Sequence, residues 1–529
     1  MAVLQKGKAT YPFWGASVNL ITGLDPLSLQ TTSEATYATM LPGLSNLTNR
    51  LRYYGFYCWL LDFYFQKEKK GNSTEQYKFI RRAELMIAII MRSERKAVTQ
   101  ITGSDFAAEL INTQTGKVFD LADGADKTDD NPNVYWKYSS GAFGQYYYGA
   151  MRAISLVVAA ANEEGDVIYS ITQPHPRQKV SGKELADAFD DSLTPAIKDL
   201  FYNNIKRGKL NVNDIPELVE YFYIDAISVN NAEWPLYVAM LLDKDDPGLE
   251  VEENFTYHRR ETILALINTT LENKGKYDWY KLLLKVYKLK LEGTDTIKGW
   301  YAYQFNEYFQ YGCGAIFWAT LMHLYQFQQD QYLPSFVSKW AKSITKEICK
   351  EIEKANPTST LKQVLSYIPA RQSVESINDS IETRPESKPV SAAAYSFMLL
   401  FKLYNENKEQ FHSLKEFMTR KQMIREGNVV DGLLYLHTCE TDTLENFIEQ
   451  FIQRRIINRH QMVAIRKMGN GSLSTHKFII EEQYIKFIDT FPPRRTSPRM
   501  NALWNLLADL TVVDDQHKLT ALHTKLLES

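Results

Sequence analysis

A chain of 529 residues is too long for one ordinary core, so two to four domains are expected. Its 44% hydrophobic and 13% aromatic content, including 32 Tyr, is ample for packed cores and argues against a disordered chain. With 61 basic against 63 acidic side chains the net charge is −2, which argues against a protein that wraps nucleic acid extensively but leaves room for a local basic patch.

The four cysteines, Cys58, Cys313, Cys349 and Cys439, form no C-x-x-C pair, the usage of a reducing compartment. No long apolar stretch follows the N-terminal lysines, so no signal peptide is expected. Val390–Phe401 and Cys313–Met322 fall short of the roughly 20 apolar residues that a spanning helix needs. The expectation is a soluble, cytoplasmic protein with no membrane partner.

In chain order, residues 1–46 read as irregular, with turns at Gly23–Pro26 and Pro42-Gly43. A long helix follows, capped by Ser45 or Asn46 and running to Lys70. Its stripe of Leu47, Leu51, Tyr54, Cys58, Leu61 and Phe65 is broadened by flanking aromatics, the mark of a helix buried between neighbours. A second helix covers Tyr77–Arg95. The acidic loop 119–133 lacks the spacing of a calcium loop and reads as solvated.

Residues 141–193, within an N-terminal region 1–193, predict a helix (Gly144–Leu156), a hairpin (Ile154–Ala161 and Val167–Ile171 around the turn 162–166) and a helix capped by Ser181. This is a winged-helix-like pattern. The acidic face of its last helix suits protein docking better than phosphate. Residues 194–354 read as a helical bundle, clearest at Trp300–Gln328, where Gly312-Cys313-Gly314 marks a kink, a break or close packing. Residues 355–390 read as a linker or long loop, and 391–529 as a C-terminal helical region.

Within 443–529 the pattern of helix, hairpin and helix recurs. Phe478–Ile480 and Tyr484–Ile488 flank a polar turn, Ser497 is an N-cap, Pro498 takes the first helical position, and Met500, Leu503, Trp504, Leu507 and Leu510 keep helical spacing. Arg494, Arg495 and Arg499 crowd the start of that helix, where a phosphate would be favoured, and Lys477 and Lys486 on the hairpin would add backbone contacts. The other reading of the three arginines is that they pair with Asp509, Asp514 or Asp515, or merely face solvent. The fold class is mainly α: a multi-domain helical protein with two small winged-helix-like β-hairpin units.

Phosphate-loop, nucleophile-elbow and metal-spaced motifs are absent, and no cofactor or metal is expected. His437 and Cys439 are the nearest metal-like pair and have no further ligands. Arg455 and His460 satisfy R-x-x-x-x-H, the spacing of HEPN-type RNases, in which histidine moves a proton and arginine stabilises charge. The alternative is that Arg454, Arg455, Arg459 and Arg466 form a solvated helix face.

Four segments, LPGLSNLTNRLRYYGFYCWLLDFY (41–64), RRAELMIAI (81–89), SGKELADAF (181–189) and TSPRMNALWNLLADL (496–510), together resemble a family of long, uncharacterised bacterial proteins encoded within phage-defence or DNA-processing loci. The resemblance implies a component of a multi-protein system and carries over no catalytic residue. The expected function is a non-enzymatic scaffold or adaptor, docking partners such as a nuclease or ATPase and contacting DNA or RNA. Two alternatives are a nucleic-acid-binding sensor or regulator acting through the C-terminal unit, and a HEPN-like RNase.

Overall fold

The computed structural model describes residues 19–20, 25–68, 72–113, 116–126, 134–161, 167–176, 178–242, 257–327, 329–369, 372–383, 388–468 and 473–528. It is mainly α, as the sequence predicts, and its strands among the described residues are short. Its principal helices are α1 (Arg52–Lys67), α2 (Ser73–Glu94), α3 (Gly182–Asp191), α4 (Tyr257–Glu272), α5 (Asp295–Tyr325), α6 (Pro389–Asn407), α7 (Val429–Thr438), α8 (Asn458–Met468) and α9 (Met500–Asp509). Two hairpins, β1 (Val157–Ala161) with β2 (Val167–Ile171) and β3 (Phe478–Glu481) with β4 (Tyr484–Phe487), are antiparallel. Among the described residues no helix is long and apolar enough to cross a membrane.

The chain divides into two compact units, each made of two segments: residues 1–36 with 286–496, and 37–285 with 497–529. In the second unit α1 is buried on nearly every face, as its all-round aromatic sequence demands. Trp59 stacks on Phe63 at 4.7 Å and meets Phe189 of α3 at 5.5 Å. Arg52, 1% exposed, is satisfied by Glu233 at 2.8 Å and by the carbonyls of Tyr221 and Tyr223.

Neither Ser45 nor Asn46 caps α1, which starts only at Arg52. Ser45 and Thr48 instead close a turn of their own, and the Leu51 N–H donates to the buried carboxylate of Asp509 at 2.7 Å. The helix predicted over Gly144–Leu156 is a π-helical turn, Phe143–Tyr147, followed by Tyr148–Ala153. The buried Glu84 carboxyl holds the start of that turn, accepting from the N–H groups of Ala142 (2.9 Å) and Phe143 (2.6 Å), and burial pushes it up to about 7. Hairpin β1–β2 lies in the predicted place, although its turn, 162–166, falls outside the described residues. Ser181 caps α3 in a full capping box with Glu184.

The first unit is built on α5 against α6. Helix α5 runs unbroken through Gly312 and Gly314, and a Cβ on Gly312 would lie 3.4 Å from Leu399 and Leu400 of α6. There is neither a kink nor a break at that glycine, and a Cβ there would meet α6 in ordinary contact. The stretch read as a linker carries two helices, Leu361–Tyr367 and Val374–Glu382, whose polar N-caps, Thr360 and Ser373, are part of the Ser/Thr content that suggested a loop. The strand Gln331–Tyr332 pairs with β4 and extends the second hairpin to three strands.

The C-terminal pattern spans both units, because the division falls after Thr496: β3–β4 belongs to the first unit and α9 to the second. Ser497 does not cap α9. Its hydroxyl lies 3.2 Å from Asn46 Oδ1, and the helix begins after Arg499, whose φ of 62° breaks the run from Pro498.

Candidate functional site

Arg455 and His460 share one helical stretch, interrupted by a π turn at Ile452–Ile457, but they face different surroundings. The Arg455 guanidinium lies 4.5 Å from the ring centroid of Tyr435. His460 is fully buried between Phe317 and Phe478. Its Nδ1–H donates to the Pro26 carbonyl at 3.1 Å, and its Nε2 accepts the Lys477 N–H at 3.0 Å. Burial pushes its pKa down to about 4. Both ring nitrogens are occupied by backbone, so neither is available to a phosphodiester.

The predicted phosphate-binding residues have varied settings. Lys477 is buried with its Nζ 2.6 Å from Asp489, while Lys486 is exposed on β4. The exposed Arg494 guanidinium lies 5.5 Å from the Phe491 ring centroid. Arg495 is held by Asn378 (2.7 Å) and Glu382 (2.9 Å) and stacks on Tyr311 at 4.5 Å. In the second unit, Arg499 packs over Tyr37 and donates to the Leu41 carbonyl. Lys477 and Arg495 are therefore neutralised by carboxylates.

A different basic site lies wholly within the second unit. A cleft of about 770 Å³ is bounded by the end of α4, the exposed side of α9 and the turn 516–519. Helix α4 closes on left-handed Lys274 and Gly275 (φ 57° and 77°), with the Gly275 N–H returning to the Thr270 carbonyl at 2.9 Å. That reversal sets Lys274 and Lys276 on the cleft wall, a placement that also suits the negative end of the helix. On the opposite side, Asp514 Oδ1 accepts the N–H groups of Gln516 (2.9 Å) and Lys518 (2.8 Å). This tight turn presents His517 (φ 59°) and Lys518.

The floor is aromatic and amide-rich. Tyr277 stacks on the buried Trp504 of α9 at 4.2 Å and 17°, and its hydroxyl donates to Asn501 Oδ1 at 3.1 Å. Asn505 donates to Gln100 Oε1 at 3.1 Å. The Trp504 Nε1–H is buried with no hydrogen-bond partner among the described residues. No side chain caps α9, whose second residue, Asn501, lines the cleft beside His523.

Three lysines and two histidines line this space, and no carboxylate does so among the described residues. The nearby Glu272 is paired with Lys285 at 2.9 Å. Cations, amides and a stacked aromatic pair together suit a ligand that carries both phosphate and a planar base. Sequence reasoning singled out Trp504 and its helix for packing and missed the cleft, because its parts come from around residue 100, from 271–277 and from 501–523. No local spacing carries that signal.

A second cleft, about 560 Å³, lies in the first unit around Tyr404, whose hydroxyl donates to Glu440 Oε1 at 2.8 Å and lies 3.2 Å from His437 Nδ1. His437 thus partners a carboxylate and a phenol, whereas Cys439 is buried. No group of three potential metal ligands occurs among the described residues. Comparison of the chain with known protein families, curated proteins and solved structures finds no match.

Proposed function

We propose that this protein is a non-enzymatic adaptor of a bacterial multi-protein system, one of the anti-phage kind, and that it recognises nucleic acid or its components at the lysine-lined cleft of its second unit. The observation that carries the reading is the composition of that cleft: Lys274, Lys276 and Lys518 around stacked Tyr277 and Trp504, with no lining carboxylate among the described residues. Lysines supply phosphate attraction and the aromatic floor supplies a stacking surface, the two ingredients of sequence-tolerant binding. The assembly role is supported by the resemblance of four segments to proteins of phage-defence loci. It is supported also by exposed apolar side chains one turn apart on α8, Met462 (60%) and Ile465 (64%), of the sort that partner surfaces cover.

The sensor alternative is expected at the C-terminal unit; a sensor acting through this cleft instead would differ from the adaptor only in what binding triggers. The RNase alternative is disfavoured by the burial of His460 and the occupation of both its ring nitrogens.

Fluorescence anisotropy with a labelled single-stranded oligonucleotide tests the reading. Binding should be saturable, should weaken with salt at a log–log slope of about −2 for three neutralised phosphates, and should fall at least about tenfold in Lys274→Ala/Lys276→Ala/Lys518→Ala. An oligonucleotide that binds the triple variant as well as the parent would place recognition elsewhere.

A further inference from the structure

The cationic side chains line the cleft from two facing turns. Lys274 and Lys276 are two residues apart on one turn, and Lys518 and His517 are adjacent on another. The basic side chains that follow on the α4 side are already engaged: Lys281 with Asn273 Oδ1, and Lys285 with Glu272. Arg50, which precedes α1, is bound at 2.6 Å to Asp509 at the far end of α9. A strand running on past the cleft would meet Lys285 and Arg50 already paired with carboxylates. A ligand that brings several negative charges between these two turns matches the arrangement better than one phosphate per nucleotide along a groove.

Size agrees. About 770 Å³ is the scale of a cofactor-sized ligand. Three non-glycine residues on the rim, Gln100 (φ 63°), Lys274 (φ 57°) and His517 (φ 59°), sit in the left-handed region, which persists only where surrounding structure holds it. Asn501 and Gln516 place amides beside the Tyr277–Trp504 stack, where the polar edge of a base would find partners.

Building on the reading of this cleft as a phosphate-and-base site, we infer that it takes a terminal polyphosphate: a nucleoside bearing two or more phosphates in series, either free or at the 5′ end of a strand. The lysines would hold the phosphates and Tyr277 would carry the base.

The test is competition binding on the full chain with ATP, AMP, a short 5′-triphosphorylated oligonucleotide and the same oligonucleotide with a 5′-hydroxyl. ATP or the triphosphorylated strand should bind at least about tenfold tighter than AMP and the hydroxyl strand, and the better of the two names the source. That binding should be lost in Lys274→Ala/Lys276→Ala/Lys518→Ala and retained in Lys486→Ala, with thermal midpoints unchanged because the substituted lysines are exposed. If the hydroxyl strand binds as tightly as the triphosphorylated one and the triple variant abolishes both, the phosphate-and-base reading stands and the terminal polyphosphate is refuted. If no probe binds, both are refuted.

Discussion

His460 shows how a side chain that carries chemistry in one protein becomes framework in another. Its ring joins the segment at Pro26 to the strand entry at Lys477, both within the first unit. Truncation to alanine removes two buried hydrogen bonds and opens a cavity beside Phe317, so His460→Ala should cost about 2–4 kcal/mol in denaturant unfolding. The pH dependence has a definite sign. Burial lowers the pKa from 6.5 to about 4, so the unfolded chain takes up the proton first. The advantage of the parent over the variant is complete above about pH 6.5 and shrinks as pH falls towards 4. Glu84 acts oppositely: raised from 4.5 to about 7, it costs the fold stability as pH climbs through that window. The difference between parent and variant isolates the histidine, and a gap that widened on acidification would contradict the assignment.

Asp509 is the corresponding carboxylate of the second unit. It is buried, raised to about 6 by burial, and bound by Arg50 and by the N–H that opens α1. Asp509→Ala strands the Arg50 charge and the Leu51 N–H together, and about 3 kcal/mol of stability should go with them. Hydrogen exchange should show the loss in α1 and α9 before it appears in α5.

Elements were legible where local chemistry decided them. The aromatic wheel of α1, the capping box at Ser181 and both hairpins follow from periodicity and caps alone. The errors came where a distant group overrode the local signal. Ser45 looks like a cap, yet Asp509 sets where α1 begins. Ser497 looks like another, yet Arg499 turns left-handed first. The linker-like composition of 355–390 hides two helices whose Val364, Ile377 and Ile381 reach the core. Helix contacts are equally specific. Gly432 of α7 lies so close to the Phe309 ring of α5 that any Cβ would collide with it. Gly432→Ala should therefore destabilise by about 1–3 kcal/mol despite the higher helix propensity of alanine. A neutral or stabilising effect in thermal unfolding would mean that α5 and α7 separate more easily than their packing indicates.

For the molecule as a whole, the run of helical patterns pointed to the class, a mainly α protein, but not to the interleaving of its segments. A basic cluster adjacent in sequence, Arg494 to Arg499, drew attention to a place where the chain passes from one unit to the other. The lysine cleft, whose members lie up to some four hundred residues apart, left no trace in any window. Local motifs report on local chemistry, and this site is assembled by topology.

That topology also sets a timetable. The buried groups of α9 that complete the second unit, Trp504 and Asp509 among them, follow roughly two hundred residues belonging to the first unit. At bacterial rates of about 20 residues per second, and slower elsewhere, the ribosome takes about 10–40 s to supply them. During that interval the aromatic helix α1 has left the exit tunnel, while the carboxylate that fixes its first turn does not yet exist. A nascent chain of this design is exposed to aggregation for longer than its size alone implies, and it should lean on chaperones that hold apolar segments until the closing helix is made.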